Sequence, residues 1–347
     1  MQNDRVLIID GMEYHKWDRE VFEILRVGDI TAINATCAIW EDARETLENI
    51  GHWHRRFEEH SDLIVQAVTV DDIRKAYEEE KTAIVLGFQN TSPIEDNIDF
   101  VGIFAALGIR IMQLTYNTQN LVGSGCYEDE DSGLSTFGRD VVKEMNRHGV
   151  LIDLSHVGER TSMDTIEISS QPVSITHANP KFVKQTQRNK SDDMLRALGD
   201  SGGVLGLAVY PHLFSSDATV EQFCEMVART VDLMGVQHVG IGSDHHLGFS
   251  AEERKWWVQG RWSRSMPAFM SAQGFHPPDW QGEEVEWQSW FKTPAGMPNI
   301  VRGLREHGFS PDEVAAIMGG NFLRLFDQVF AEAVSPVTSR TVAQPGG

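Results

Sequence analysis

Cysteine is scarce in this chain of 347 residues, which contains Cys37, Cys126 and Cys224. Their number is odd and none lie in a C-x-x-C spacing, so the sequence offers neither a disulfide framework nor a thiolate zinc cluster. No apolar run reaches 18 residues, which argues against a membrane span and a membrane partner. No basic stretch precedes a long apolar run at the N-terminus, so we expect a reduced, cytoplasmic location.

Basic residues are also few, with 30 Lys plus Arg against 51 Asp plus Glu and a formal charge of −21. A nucleic-acid site needs clustered Lys and Arg, so we expect no nucleic-acid partner. Hydrophobic residues make up 41% of the chain, enough for a large core, which excludes a disordered protein.

Eight short apolar runs, rich in Val and Ile, recur along the chain. They span residues 5–11, 30–36, 82–90, 109–116, 149–156, 172–178, 202–210 and 238–246. Continuous apolar runs are typical of parallel strands covered on both faces. Amphipathic segments between them predict helices, for example at 41–59, 70–80, 136–148 and 220–234. The alternation predicts an α/β fold of the (β/α)8 TIM-barrel type. A doubly wound sheet is the alternative, weakened because no G-x-G-x-x-G follows the first strand.

The segment after the last predicted strand, residues 247–297, holds six of the nine tryptophans. We expect an ordered insertion that caps the barrel mouth or forms a dimer contact, with a packed surface excursion as the equally weighted alternative. Two helices then follow, at 310–318 with Ser310 as N-cap and at 321–333. We therefore predict one domain over residues 1–332 and a flexible tail over 333–347.

Polar side chains end several of the predicted strands. His156 and His177 end the fifth and sixth strands, and Asp244 ends the eighth. The carboxyl ends of barrel strands carry the catalytic groups in folds of this type. Two imidazoles and a carboxylate suit zinc or another divalent ion, which lowers the pKa of a bound water.

Further candidate residues lie near the same predicted mouth. Arg188, in the loop after the sixth strand, could clamp a substrate carboxylate, although a lone Arg is more often a surface ion-pair partner. Tyr116 could donate a hydrogen bond to an oxyanion, or simply line the barrel. His245 and His246 point opposite ways if the strand is regular, so at most one shares the mouth with Asp244.

Four motifs make the chain resemble the membrane (renal) dipeptidases, peptidase family M19 of the amidohydrolase superfamily. They are SGLSTFG with VVKEMNR at 132–147, GVLIDLSH at 149–156, HVGIGSD at 238–244 and GGNFLRLF at 319–326. The resemblance covers about residues 5 to 330. It implies a barrel enzyme that hydrolyses dipeptides with two zinc ions and forms a homodimer.

Several family residues have counterparts here. By resemblance, His156 and His177 match the two histidines of the second metal, Asp244 the residue that handles protons, and Arg188 the group that binds the substrate carboxylate. The expected substrate contacts are Arg188, Asn189, Tyr14 and His245.

Other family positions differ. The His-x-Asp of the first strand reads Met12-Glu13-Tyr14, the bridging Glu of the third reads Gln89, and the His of the fourth reads Tyr116. Two negative charges are lost, so a second dication would be left uncompensated, which is costly. We therefore predict at most one divalent ion, Zn²⁺ or none, with His156, His177 and Gln89 as ligands. Asp244 and His245 are the alternatives to Gln89 as the third ligand.

Several functions stay open at this point. The first is a mononuclear hydrolase that cleaves an amide bond in a small carboxylate substrate, with Asp244 and Tyr116 as catalytic residues. The second is a non-hydrolytic acid–base enzyme on the same barrel, such as a lyase, decarboxylase or isomerase. The third is a metal-free binding protein. The last is an ordinary two-metal dipeptidase in which Glu13 and His15 replace the missing ligands.

Overall fold

The computed structural model describes residues 5–250, 252–253 and 286–330. The strands in these residues are β1 (Ile9–His15), β2 (Ala32–Ala38), β3 (Ile64–Gln66), β4 (Thr82–Phe88), β5 (Ile109–Gln113), β6 (Leu151–Asp153), β7 (Ser174–Ala178), β8 (Val204–Leu207), β9 (Val239–Ile241) and β10 (His245–Leu247). The α-helices are α1 (Arg19–Val27), α2 (Ala43–Glu59), α3 (Val70–Glu78), α4 (Asp99–Ala106), α5 (Thr136–Arg147), α6 (Glu159–Ile168), α7 (Asp192–Asp200), α8 (Val220–Met234), α9 (Met297–Glu306), α10 (Pro311–Ala315) and α11 (Asn321–Phe330).

The strands form a closed parallel barrel in the order β1, β2, β4, β5, β6, β7, β8, β9. The barrel closes where Asp10 of β1 pairs with Ile241 of β9. A helix separates each pair of successive strands except β9 and β10. The predicted (β/α)8 barrel is therefore confirmed, and the doubly wound alternative is wrong.

Two strand boundaries differ from the prediction. The short strand β3 was not predicted; it pairs with the first half of β4, whose second half pairs with β5. The predicted eighth strand is divided into β9 and β10, and β10 continues along β1 through the pair Glu13 and His245. Residues 242–244 lie in the break, so Asp244 is outside regular strand structure.

Two apolar layers hold the barrel together. Side chains such as Ile33, Ile50 and Trp53 fill the space between strands and helices. Inside the barrel, Ile9 packs with Phe322 of α11. Helix α11 closes the end of the barrel opposite the carboxyl ends of the strands. Large, fully buried side chains in both layers leave the carboxyl ends of the strands as the place where polar groups collect.

The predicted helix at 310–318 begins as expected, since Ser310 caps it and forms a capping box with Glu313. It is shorter than predicted, because a π-helical turn, Ala316–Gly320, follows α10. A Cβ on Gly319 would lie 2.5 Å from the Leu7 carbonyl oxygen, so glycine lets this turn approach β1 closely.

Most of the predicted insertion, residues 254–285, and the predicted tail lie outside the described residues. Within the described ranges, no helix is long and apolar enough to cross a membrane.

Candidate active site

Adjacent strands bring two histidines together. His177 lies in β7 and His156 follows β6, and both side chains are buried. Their Nε2 atoms are 3.1 Å apart. The sequence prediction that these two imidazoles meet at one point of the barrel therefore agrees with the structure.

Hydrogen bonds to the other ring nitrogens set the tautomers. The Thr176 hydroxyl donates to Asp153 Oδ2 at 2.8 Å, so it accepts from Nδ1–H of His177, also at 2.8 Å. Nδ1 of His156 is 2.7 Å from Oδ1 of Asn117, which can only accept. Both Nε2 atoms therefore carry lone pairs that face each other.

Two lone pairs at 3.1 Å repel unless a cation lies between them. Burial, followed by the Arg188 charge, holds the pKa of both histidines well below its usual value, which disfavours a shared proton. Two nitrogens about 2.0–2.1 Å from one zinc ion would be this far apart at an N–metal–N angle of roughly 100°. The pair therefore fits one divalent ion.

Gln89 is the remaining predicted ligand. Its Nε2 donates to the Thr36 hydroxyl at 2.8 Å and approaches the Met12 sulfur at 3.5 Å, so Oε1 is the atom left for an ion. In the described part of the chain, no group of three or more His, Cys, Asp or Glu side chains is placed to hold a metal. The residues present fit one metal with two strong ligands, and do not fit two metals.

Glycines allow β7 to hold this position. A Cβ at Gly11, Gly206 or Gly242 would collide with the Thr176 carbonyl oxygen. Because Gly11 lies in β1, Gly206 in β8 and Gly242 directly after β9, three strands close tightly around the residue that precedes His177.

Asp244 lies in the break between β9 and β10 with φ 58°, a left-handed conformation that is strained outside glycine. Its amide donates to the Met12 carbonyl at 3.2 Å, and the preceding Ser243 amide donates to Asp10 Oδ1 at 2.7 Å. Burial raises the pKa of Asp244 to about 7, against the opposing effect of Arg188. A carboxylate with this pKa suits a general base near neutral pH.

Glu13 and His15 face the outer side of β1. His15 Nε2 is 2.7 Å from Glu13 Oε2, and the His15 ring packs edge-on against Trp17. Burial raises the pKa of Glu13 to about 8 and lowers that of His15 to about 3. Asp10 contacts Glu13, and burial raises its pKa well above the usual value. The structure therefore does not bring Glu13 and His15 to the histidine pair as replacement ligands.

His245 lies on the same outer side. It is fully buried, its ring is 3.9 Å from that of Trp287, and its Nε2 is 3.2 Å from the Lys292 carbonyl oxygen. The structure thus places this predicted substrate contact behind β10, because its partner in the ladder, Glu13, also points outward.

Arg188 is buried beside the histidines. Its two terminal nitrogens donate to the carbonyl oxygens of Ser155 and His177. Each of these nitrogens has a second N–H. Asn189, in contrast, uses its amide on loop backbone, donating to Lys184 and Leu213 carbonyls. Arg188 therefore holds its donor groups beside the histidines, whereas Asn189 braces the loop.

Tyr116 stacks on His156, with ring centroids 4.1 Å apart, and meets the edge of Trp40 at 5.4 Å. Burial, with Asp244 as the next cause, raises the pKa of Tyr116 well above its usual value, so the phenol stays protonated. Tyr14 stacks on Phe249 and joins the same cluster. We call Tyr14, Trp40, Tyr116 and Phe249 the aromatic wall.

Sequence reasoning missed the residues that orient the histidines, Asn117, Thr176 and Asp153. A signal was present for two of them, because Thr176 and Asp153 are polar residues inside otherwise apolar strands. Asn117 has φ 63°, a conformation that Asn tolerates and that the sequence does not reveal.

The chain is similar to known proteins of one family. The family model described as membrane dipeptidase, peptidase family M19, matches residues 22–253. The chain belongs to this family. A solved amidohydrolase from Pseudomonas aeruginosa is 35% identical, with a TM-score of 0.87 over 94% of this chain and 98% of its own. The probable dipeptidase PvdM from Pseudomonas aeruginosa shares the fold, with a TM-score of 0.77 at 18% identity over 95% of this chain and 97% of its own.

Curated relatives of this M19 chain include Dipeptidase tcpJ from Claviceps purpurea, 28% identical over 84% of the chain and 61% of that relative. The uncharacterized dipeptidase C965.12 from Schizosaccharomyces pombe is 30% identical over 58% of the chain and 50% of its own length. The chain thus spans about half to three fifths of the length of these relatives. The family model shows that the chain is a member of the M19 family, and the curated relatives it resembles are named dipeptidases.

Proposed function

We propose that the chain hydrolyses an amide bond in a small carboxylate-bearing substrate, with one divalent ion, zinc, held by His156 and His177. The observation that carries the proposal is the pair of facing Nε2 lone pairs 3.1 Å apart. Gln89 Oε1 is the candidate third protein ligand. An ion bound there supplies polarisation of the scissile carbonyl and a lower pKa for a water.

The chain's own residues have separate roles in this proposal. Asp244, with its pKa of about 7, takes a proton from the attacking water and returns it to the leaving amine. The protonated Tyr116 hydroxyl donates to the carbonyl oxygen as negative charge develops on it. Arg188 uses one N–H of each terminal nitrogen on the Ser155 and His177 carbonyl oxygens. It binds the substrate carboxylate with the other N–H groups.

We extend the proposal to a homodimer in a reducing cytoplasm. The support for the dimer is the family resemblance, and the support for the compartment is that Cys37, Cys126 and Cys224 are buried thiols that form no disulfide.

Metal content per chain tests the proposal. After chelation and reloading with zinc, elemental analysis should find close to one ion in the native chain and almost none in His156→Ala or His177→Ala. Thr176→Val should weaken zinc binding by about 10–100-fold, because it removes the hydrogen bond that orients His177. Thr165→Val, on α6, removes a comparable buried hydroxyl and should leave affinity unchanged.

Two other stoichiometries would contradict the proposal. Close to two ions would mean that the first-strand and third-strand positions do bind metal, and none would favour metal-free chemistry or a binding role. Activity adds a further check, since replacing the substrate carboxylate by a carboxamide should raise KM at least about tenfold if Arg188 forms a charged pair with it.

A further inference from the structure

The aromatic wall lies on the side of the mouth where the family resemblance implies a metal site that this chain lacks. We propose that this wall selects substrates whose acyl group is aromatic or otherwise apolar and carries no free ammonium: N-acyl amino acids rather than dipeptides. The inference rests on the proposed function and specifies its substrate.

The wall is continuous with the histidine pair. Tyr116 stacks on His156 and meets Trp40 edge-on. Tyr14 and Phe249 stack at 4.9 Å, and both pack with the Trp40 and Tyr116 cluster. Its members follow or end β1, β2, β5 and β10, so the wall covers the side of the mouth nearest β1.

The inner residues on that side are neutral. Met12, Thr36 and Gln89 contact one another through a thioether, a hydroxyl and an amide. An apolar group placed against this surface loses water at little cost, and an aromatic ring gains stacking contacts with the wall.

An ammonium group at the same place would meet carboxylates that, in the described residues, already have other partners or roles. Glu13 is on the outer side of β1 with His15, and Asp10 binds the amides of Met12 and Ser243. Asp153 accepts hydrogen bonds from Ser155 and Thr176. Glu41 Oε2 accepts from the amides of Ile39 and Trp40, and Asp244 is needed for proton transfer. A desolvated ammonium would therefore bind poorly.

The turn that carries Trp40 is already shaped for binding. Glu41 Oε2 accepts hydrogen bonds from the amides of Ile39 and Trp40 at 2.7 and 3.0 Å. The Ser92 hydroxyl also donates to the Ile39 carbonyl at 3.3 Å. A wall held in this way binds a ring without ordering a loop first.

A pair of ligands that differ by one amino group tests the proposal. 3-Phenylpropanoyl-glycine and phenylalanyl-glycine are compared on the zinc-loaded protein, by calorimetric binding and by kcat/KM. We expect at least about tenfold tighter binding and higher kcat/KM for 3-phenylpropanoyl-glycine. Equal values, or a preference for phenylalanyl-glycine, would overturn the inference. Preferential binding without turnover would uphold the ligand class while contradicting the proposed hydrolysis, so the two failures are distinguishable.

Variants of the wall give a second readout. Trp40→Ala should weaken binding of 3-phenylpropanoyl-glycine about tenfold and leave acetyl-glycine unaffected, whereas Trp40→Phe should retain most of the affinity. Tyr14→Asp places a carboxylate in the wall and should shift the binding ratio toward phenylalanyl-glycine by about tenfold. If these ratios match the native ratio in folded variants, the wall does not determine specificity.

Discussion

At the scale of single residues, Glu13 combines complete burial with a titratable group. Burial raises its pKa to about 8 from 4.5, so between these values the folded chain holds a proton that the unfolded chain releases. The contribution of protonated Glu13 to the free energy of unfolding is therefore fully present below about pH 4.5 and is lost as pH rises toward 8. Glu13→Gln cannot lose that proton. We expect the variant to gain stability relative to the native chain by up to about 1.4 kcal/mol per pH unit over this window.

Urea unfolding at pH 5, 6.5 and 8 measures this difference. Glu78→Gln, an exposed change at the end of α3, is the control and should follow the native chain at every pH. A constant difference between Glu13→Gln and the native chain across this range would show that Glu13 does not hold its proton in the fold.

Strand-end polarity predicted that His156, His177 and Asp244 share one mouth, because parallel barrel strands all end at the same face. Their orientation was not predictable. It depends on the hydrogen bonds that His177 and His156 donate to Thr176 and Asn117. Thr176 stands out as a polar residue in an apolar strand, but the sequence does not show which ring nitrogen it contacts. The predicted substrate contact of His245 also depended on the direction of its side chain. That direction is set by the irregular break at residues 242–244, which the sequence does not reveal.

At the scale of elements, the break between β9 and β10 determines the position of Asp244. Asp10 Oδ1 accepts from the Met12 amide at 3.2 Å and the Ser243 amide at 2.7 Å, so it ties the break to β1. Asp10→Ala removes this link and should lower kcat at least about tenfold through misplacement of Asp244. KM should change little, because Arg188 lies on another loop, and zinc content should stay close to one.

Asp10→Asn is the matched variant, because its amide oxygen still accepts both hydrogen bonds. Its kcat should stay within a few-fold of the native value. If the Asn and Ala variants lose kcat equally while both keep zinc, the charge of Asp10 matters and its hydrogen bonds to the break do not.

The helices and strands were largely predictable from the pattern of apolar residues along the chain. Apolar runs identified all eight barrel strands, since each is buried on both faces. Strand β3 was missed; it has three residues, pairs with the first half of β4 and lies outside the barrel order. The π-helical turn after α10 was missed as well, because it reflects the close approach of Gly319 to Leu7 and no local propensity.

At the scale of the whole molecule, the formal charge of −21 opposes the approach of a carboxylate substrate. In the proposed reaction, Arg188 binds that carboxylate over a few ångströms, inside a buried site where salt screens poorly. The two effects therefore respond differently to ionic strength. The Debye length shortens from about 30 Å at 0.01 M salt to about 10 Å at 0.1 M. Added salt therefore removes the long-range repulsion and leaves the local pair of Arg188 and carboxylate.

We therefore expect KM for an N-acyl amino acid to fall severalfold between 0.01 and 0.3 M NaCl, while kcat stays constant. The carboxamide analogue carries no charge, so its KM should not respond to salt and serves as the control. A KM that rises with salt for the carboxylate substrate alone would mean that positive potential from Arg188 extends out of the mouth and outweighs the acidic surface. In that case the net charge of the chain would not describe the field that its substrate meets.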